Sequence, residues 1–468
     1  MSGTLPLKRL SAKTTLVRFV KIEIDPEISS EMKFELIFNF SSDFSWLIVV
    51  GQFVLEYNGW EEIRMDVGLF SLRLGREQRQ PNMMQRSLCF LNSIRSSSFS
   101  SLSKIGAYYA SRAASSLQQA FEPSAHRSSD DEDNDIDWNN LGFSAKPTDY
   151  MYVTKCLADG IFEQGQLNPY GNIELNPFAA VLNYGQGLFE GTKAFRRKDG
   201  RVFLFRPDQN AIRMQFGAER MCMPSPSISQ FIHAIKQTAL ANRRWIPPMG
   251  KGSLYIRPLL IGSGPILGLA PSLEYTFLVY ASPVGNYFKE GLSPLNLYIE
   301  DEFHRATHGG VGGVKSITNY APVLSALTRA KNRGFSDVIY LDSVHKKNIE
   351  EATSCNVFVV KGNLISTPST SGTILPGVTR KTVIDIARDH GYKVEERAVP
   401  VEELLDGDEV FCTGTAVGVA PVGNITYKGR RVEYKIEGQL VSRDLYSILV
   451  GIQTGIIEDK KGWLLEIE

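Results

Sequence analysis

The chain has 468 residues, with 51 Lys and Arg balancing 51 Asp and Glu, so its net charge is zero and its pI about 7. That length suits two or three domains, and the balanced charge argues against a chain built mainly to bind nucleic acid or an anionic membrane. No run reaches the roughly 18 uncharged apolar residues of a spanning helix, and the five cysteines (Cys89, Cys156, Cys222, Cys355, Cys412) lack a C-x-x-C pair, which excludes a disulfide framework or zinc site.

Residues 1–82 mix acidic, basic and aromatic side chains without sustained periodicity. Residues 83–121 contain no Asp or Glu, and they hold Arg86, Arg95, Lys104 and Arg112 among eleven serines. That is the composition of an organellar transit peptide, and Met83 or Met84 supplies a start for it. Residues 1–82 are therefore expected to be an upstream extension, non-native or disordered; a genuine extra N-terminal domain is the alternative. Apolar Leu88, Phe90, Leu91 and Ile94 between the arginines favour the mitochondrion, with the chloroplast as alternative. Residues 128–137 (SSDDEDNDID) turn acidic and read as a solvated linker, since they lack a Gly turn and EF-hand spacing. Transit peptide and linker together take 83–136.

From 137 onward the pattern is α/β. Short strands are expected at 193–196 and 202–205 around the hairpin signal Lys198-Asp199-Gly200. Pro207 suits the first turn of a helix running to about residue 221. Ser227 and Gln230 form a capping box for a second helix, in which Phe231, Ala234, Ile235 and Ala239 keep helical spacing. Strand-like runs follow at 253–261 and 275–282, and 283–293 is rich in Gly, Asn and Pro, as a linker would be. The expected organisation is a small α/β domain over 137–285, an interdomain loop over 286–296 and a larger domain over 297–468.

The densest oddity is HRATHGGVGGVKSITNY, with four glycines in five residues just before Lys315. Such a backbone either needs positive φ or is approached closely. After it, Asn319 can cap a helix with Pro322 in its first turn and Leu324, Leu327 and Thr328 at helical spacing. A phosphate loop fails because Val314 stands where its second Gly must be. A metal site at His304 and His308 fails because no HExxH glutamate lies between them, and solvated histidines are expected instead.

The third reading is Lys315 as a Schiff-base lysine. Such a lysine must be held still, kept from bulk water and partly deprotonated. A pyridoxal phosphate site also needs a carboxylate for the pyridine nitrogen, a hydroxyl near the ring oxygen, and a helix N-terminus with an Arg for the phosphate. Glu350-Glu351 precedes a strand at 357–360. Gly377-Val378-Thr379 opens a helix with Val383, Ile386 and Ala387 on one face and Gly391 at its end. Arg213 lies on the helix opened by Pro207.

The ordered blocks LNYGQGLFEGTKAF, LFRPDQNAIRM, GKGSLYIRPLLIGSGPILGLAP, ASPVGNYFKEG, GGVGGVKSITNYAPVL, IEEATSCNVFVV, GTILPGVTRK and EVFCTGTAVGVAPV run from about 137 to 468. Together they closely resemble branched-chain amino acid aminotransferases of plant type, within the fold-type IV pyridoxal phosphate enzymes. The resemblance implies pyridoxal 5′-phosphate as cofactor, a homodimer, and amino transfer between L-leucine, L-isoleucine or L-valine and 2-oxoglutarate. It implies Lys315 as the Schiff-base lysine, Tyr320 on the cofactor's phenolic oxygen and Glu351 on the pyridine nitrogen. Arg213, Val378, Thr379 and Thr415 would hold the phosphate. Tyr255, Arg257, Thr415 and Ala416 resemble the substrate-carboxylate site, while Tyr184, Phe189 and Tyr287 would line the side-chain pocket. Leu267 and Leu269 match a loop that the family lends across its dimer. No metal, nucleic acid or membrane partner is implied.

There is one departure. Animal members can carry a C-x-x-C pair after the GTA segment, where this chain has Val417-Gly418-Val419-Ala420. A thiol switch is not expected there, and Cys355 and Cys412 are expected to be buried core thiols. Rivals within the fold are a D-amino acid aminotransferase or an aminodeoxychorismate lyase, which do not as a rule carry the YIRP and FEG blocks together.

Overall fold

A computed structural model describes residues 136–157, 160–285 and 294–468, and the backbone of four strands ahead of them. These are β1 (Arg18–Ile24), β2 (Glu31–Phe38), β3 (Leu47–Tyr57) and β4 (Ile63–Leu74), an antiparallel meander within a unit spanning Met1–Arg127. Part of the stretch expected to be an extension thus carries paired strands. The transit-like segment and most of the acidic run lie outside the described residues.

The unit Ser128–Glu468 carries two sheets. The first uses β5 (Tyr150–Leu157), β6 (Gln166–Pro169), β7 (Gly187–Phe189), β8 (Thr192–Arg196), β9 (Val202–Phe205), β10 (Ser253–Gly262) and β11 (Glu274–Val284). All its pairings are antiparallel, in the order β9-β8-β10-β11-β5-β6, with β7 also on β10. Its helices are α1 (Ala180–Tyr184), α2 (Pro207–Arg220) and α3 (Ile228–Ala241). The β8–β9 hairpin forms as expected, and Pro207 opens α2. The capping box is complete: the Ser227 hydroxyl accepts from the Gln230 amide, and Gln230 Oε1 accepts from the Ser227 amide. The apolar face of α3 (Phe231, Ala234, Ile235, Ala239) is buried in the core under this sheet. The expected linker starts late, because β11 continues through Pro283 to Val284, which is buried and paired with Ser253.

The second sheet comprises β12 (Leu295–Glu300), β13 (Asp337–Leu341), β14 (Asn348–Ala352), β15 (Asn356–Lys361), β16 (Leu364–Pro368), β17 (Lys393–Arg397), β18 (Val399–Pro400), β19 (Glu409–Gly414), β20 (Gly418–Tyr427) and β21 (Arg430–Glu433). It is mixed: β12 runs parallel to β13 and β20, and β16 to β17, while the other pairs are antiparallel. Around it lie α4 (Leu324–Asn332), α5 (Val378–Asp389), α6 (Val401–Leu405) and α7 (Val441–Thr454). The last strand, β22 (Leu464–Ile467), returns to the first sheet beside β9. Two boundaries therefore differ from expectation. β12 begins inside the expected loop, and the end of the chain closes the small domain's sheet.

Helix α4 also differs. Asn319 ends a single 3₁₀ turn and does not cap α4; its side-chain amide donates to the Val311 and Val314 carbonyls at 2.8 and 2.9 Å. The buried stripe is Val323, Ala326 and Ala330, with Leu324 turned to solvent. Helix α5 matches its reading, with Val383, Ile386 and Ala387 buried and Gly391 at φ +84° just past its end.

Candidate active site

Lys315 is seated where the two sheets meet. Its carbonyl accepts from the Phe189 amide of β7 at 3.2 Å, and Leu188 forms a bridge with Ser316. Two of the glycines before it serve close approach: a Cβ on Gly313 would lie 2.8 Å from the Gly372 carbonyl, and one on Gly312 would collide with Thr373, whereas Gly309 stands at φ +76°. Protein backbone, not a nucleotide, fills the space those glycines leave. The Lys315 ammonium donates to the Tyr320 hydroxyl at 3.2 Å and lies 4.5 Å from the centre of the Phe189 ring. Phe189 and Tyr320 pack edge to face at 4.9 Å.

Strand β10 supplies the facing wall, and its Pro258 explains the wall's shape. Proline cannot donate to a ladder, so it belongs where a strand lacks a partner. Ile256 pairs with Thr192 and Leu259 with Phe189, so the neighbouring strand is broken at Glu190-Gly191, opposite Arg257-Pro258. At that break the Glu190 amide donates to the Pro258 carbonyl at 2.8 Å. Gly191 leaves room for the Tyr255 hydroxyl, which any Cβ there would strike. The Arg257 guanidinium donates to that hydroxyl at 3.1 Å and lies 4.6 Å from the Phe189 ring centre. Arg257 Nε is buried without a partner among the described residues.

Two buried ion pairs support the rest. Arg213 Nε and Nη2 donate to Glu190 at 2.8 and 2.7 Å, and Nη1 donates to the Pro376 carbonyl at 3.1 Å. This bidentate pair fixes the guanidinium beside the N-terminus of α5. There Gly377 offers no side-chain cap, so the Val378 and Thr379 amides stay open to an anion. The second pair is Arg305 Nη1 with Glu351 Oε1 at 2.6 Å; the Leu375 amide donates to the same oxygen at 2.9 Å. Neither bond uses Oε2. Burial pushes the Glu351 carboxyl above its usual range, against the pull of the Arg305 charge. Glu350 and Glu351 sit within β14 itself, rather than at the entry of the next strand as read from the sequence.

Thr415 and Ala416 form the turn between β19 and β20, and the Ala416 carbonyl accepts from Lys193 of β8 at 3.0 Å. With Val378 and Thr379 they line a cleft of about 410 Å³. The remaining expected residues form a second, exposed group: the Tyr184 hydroxyl donates to the Leu267 carbonyl, and Leu267 and Leu269 are 77% and 87% exposed. Tyr287 lies outside the described residues. Cys355 and Cys412 are buried as expected, and burial pushes the Cys355 thiol up to about 12. His308 is exposed and His304 half-buried, and among the described residues no cluster fit for a metal occurs.

The arrangement fits a phosphorylated pyridine: an open helix N-terminus beside a fixed Arg, a buried carboxylate, and a lysine touching a tyrosine hydroxyl. The family model for amino-transferase class IV matches residues 187–425. Over 361 residues the chain is 66% identical to branched-chain-amino-acid aminotransferase 2, chloroplastic, of Arabidopsis thaliana, covering 77% of this chain and 93% of that protein. Over 376 residues it is 64% identical to branched-chain amino acid aminotransferase 1, mitochondrial, of Humulus lupulus, covering 80% and 95%. The chain belongs to the class IV branched-chain amino acid aminotransferases. Among solved structures it is similar to a T.th. branched-chain amino acid aminotransferase with pyridoxamine 5′-phosphate, at 25% identity and TM-score 0.58, covering 68% of this chain and 98% of that one.

The fold is thus the fold-type IV α/β architecture, and the cofactor is pyridoxal 5′-phosphate. Sequence reasoning missed Glu190, Arg305 and Lys193, the partners of Arg213, Glu351 and the Ala416 carbonyl. All three lie inside quoted blocks or the glycine-rich stretch, but a charge destined for a buried partner looks like any surface charge in one dimension.

Proposed function

We infer that the enzyme transfers the amino group reversibly between L-leucine, L-isoleucine or L-valine and 2-oxoglutarate, giving branched 2-oxo acids and L-glutamate. The observation that carries this is the Lys315–Tyr320 contact at 3.2 Å, walled by Phe189 and faced by Arg257. An aromatic wall suits an aliphatic side chain, and one cation suits the second carboxylate of glutamate. Leu, Ile and Val differ by one methylene or its placement, worth only about 1–3 kcal/mol, so all three are accepted.

Pyridoxal phosphate, when bound, supplies the electron sink for the Cα carbanion. The chain supplies position and proton transfer. The α5 amides of Val378 and Thr379, Thr415 and the Glu190-fixed Arg213 would hold the cofactor's phosphate. Glu351 would hold the pyridine nitrogen protonated, and Tyr320 would hold the phenolic oxygen. Lys315 Nζ removes the Cα proton of the amino acid and, in the second half-reaction, delivers one to the Cα of nascent glutamate. Tyr255 with the Thr415 and Ala416 amides orients the α-carboxylate. Tyr184, Phe189 and Tyr287 bound the side-chain pocket.

Arg257→Ala raises KM for 2-oxoglutarate by about tenfold or more, because a charge-assisted pair is lost, and leaves the leucine half nearly unchanged. Steady-state kinetics on each half-reaction reads this. Equal losses in both halves reject the assignment of Arg257 to the second carboxylate.

The native enzyme is a homodimer in the matrix of an organelle, the mitochondrion being favoured by residues 83–121. Supporting the dimer, Phe178, Leu182, Leu267 and Leu269 are each more than half exposed, an apolar surface that association would cover. Purification from fractionated mitochondria and chloroplasts tests both points. The expected product starts between 83 and 137 and has twice the chain mass in solution. A peptide from residues 1–82 in that material sinks the extension reading, and a monomer sinks the dimer.

A further inference from the structure

Strand β11 carries a side chain that the chemistry above leaves unused. Tyr280 lies directly opposite Arg257 of β10 in the antiparallel ladder, so the two side chains leave the same face of the sheet. Tyr280 is half-buried, and its ring meets that of Tyr170, just past the end of β6, with 6.4 Å between centres. Aromatic rings thus flank Arg257 from three strands. The Phe189 ring centre of β7 lies 4.6 Å from its guanidinium carbon and the Tyr255 ring centre of β10 lies 5.2 Å away, while Tyr280 stands across the ladder on β11.

Against the pull of burial, the oxygens of Tyr255 and Tyr280 hold the Arg257 guanidinium above its usual value. Burial pushes the Tyr280 hydroxyl up as well, with the Arg257 charge drawing it the other way. Tyr280 is therefore a neutral phenol at neutral pH, whose oxygen can face a cation without cancelling its charge. A carboxylate at that place would close Arg257 into an ion pair and repel any second carboxylate brought by a substrate. A phenylalanine would meet Tyr170 equally well, so ring packing does not explain the hydroxyl. An arginine side chain has several rotatable bonds, and ordering it only when a ligand arrives weakens binding.

We propose that Tyr280 is a positioning residue for dicarboxylate recognition: from the strand beside Arg257 it holds the guanidinium preset for the second carboxylate of glutamate and 2-oxoglutarate, and leaves its charge free for that carboxylate. The proposal rests on the assignment of Arg257 made above, and the effect of Tyr280 passes through Arg257. Leucine, isoleucine and valine bring no second carboxylate, so their binding does not depend on the Tyr280 hydroxyl.

The test compares the holoenzyme with Tyr280→Phe, Arg257→Ala and the double variant. It reads KM for 2-oxoglutarate and for leucine, melting temperature, and the affinities of glutarate and 4-methylpentanoate, two unreactive carboxylates, through the visible cofactor band. In Tyr280→Phe, KM for 2-oxoglutarate rises and glutarate affinity falls, each by about fivefold or more, while KM for leucine and affinity for 4-methylpentanoate stay as in wild type. Adding Tyr280→Phe to Arg257→Ala costs no further glutarate affinity. Unchanged or tighter glutarate binding in Tyr280→Phe overturns the proposal. The same loss in the Arg257→Ala background also overturns it, by placing the hydroxyl on the ligand itself. Equal losses for both probes with a lower melting temperature overturn it by making the role structural. Glutarate binding that survives Arg257→Ala refutes the assignment of Arg257, and the proposal with it. Enzyme that leaves leucine untouched refutes the substrate reading alone, since the glutarate comparison does not depend on turnover.

Discussion

Lys315→Ala lowers kcat by at least about 10⁴-fold while part of the cofactor stays bound. The two results come from different parts of the site. In the proposed reading Lys315 Nζ takes the substrate Cα proton, and the nearby polar groups, Tyr320 and Arg257, cannot replace an amine as a base. The proposed phosphate cup lies elsewhere, at the open N-terminus of α5 and at Arg213 held by Glu190. Losing Lys315 leaves that cup intact. Phosphate-to-protein stoichiometry and single-turnover kinetics check the two halves of the expectation. Turnover within tenfold of wild type would place the proton transfer on another residue.

Glu351→Gln lowers kcat by about 10²–10³-fold, the range seen when one preorganised electrostatic partner of a developing charge is removed. Glutamine keeps the shape and can still meet the Leu375 amide, but it has no charge to hold the pyridine nitrogen protonated. The Arg305 guanidinium, nearly fully buried 2.6 Å from Glu351, also loses its counter-charge. Removing one member of a buried pair costs about 3–5 kcal/mol, so the urea midpoint falls alongside kcat. KM changes little, because in the proposed reading Glu351 acts on the cofactor and not on the substrate. An unchanged kcat in this variant rejects the assigned role.

Much of this was legible in one dimension. The Ser227–Gln230 box, Pro207 at the start of α2 and the Val383, Ile386, Ala387 stripe of α5 are local signals, and the structure realises each of them. The pairing of Lys315 with Tyr320 came from the resemblance, and only five residues of chain separate the two. Long-range chemistry was not legible. Asn319 looked like a cap because a capping side chain and a loop-pinning one are the same residue type, and only the folded glycine stretch offers it the Val311 and Val314 carbonyls. Glu190 meets Arg213 across 23 positions, Arg305 meets Glu351 across 46, and Lys193 meets Ala416 across 223. No periodicity announces such pairs. The broken strand opposite Pro258 was the available clue, since a proline within an apolar strand marks a missing ladder partner.

The most direct test of the central claim is the visible spectrum of the protein purified with its cofactor, recorded before and after L-leucine is added without any oxo acid. The expected result is that the band of the lysine-bound cofactor gives way to that of its amine form, with one equivalent of branched 2-oxo acid released per site. A band that leucine leaves unchanged but D-alanine converts would contradict the substrate assignment while sparing the fold and cofactor. A protein that takes up no cofactor after reconstitution would contradict the catalytic site itself.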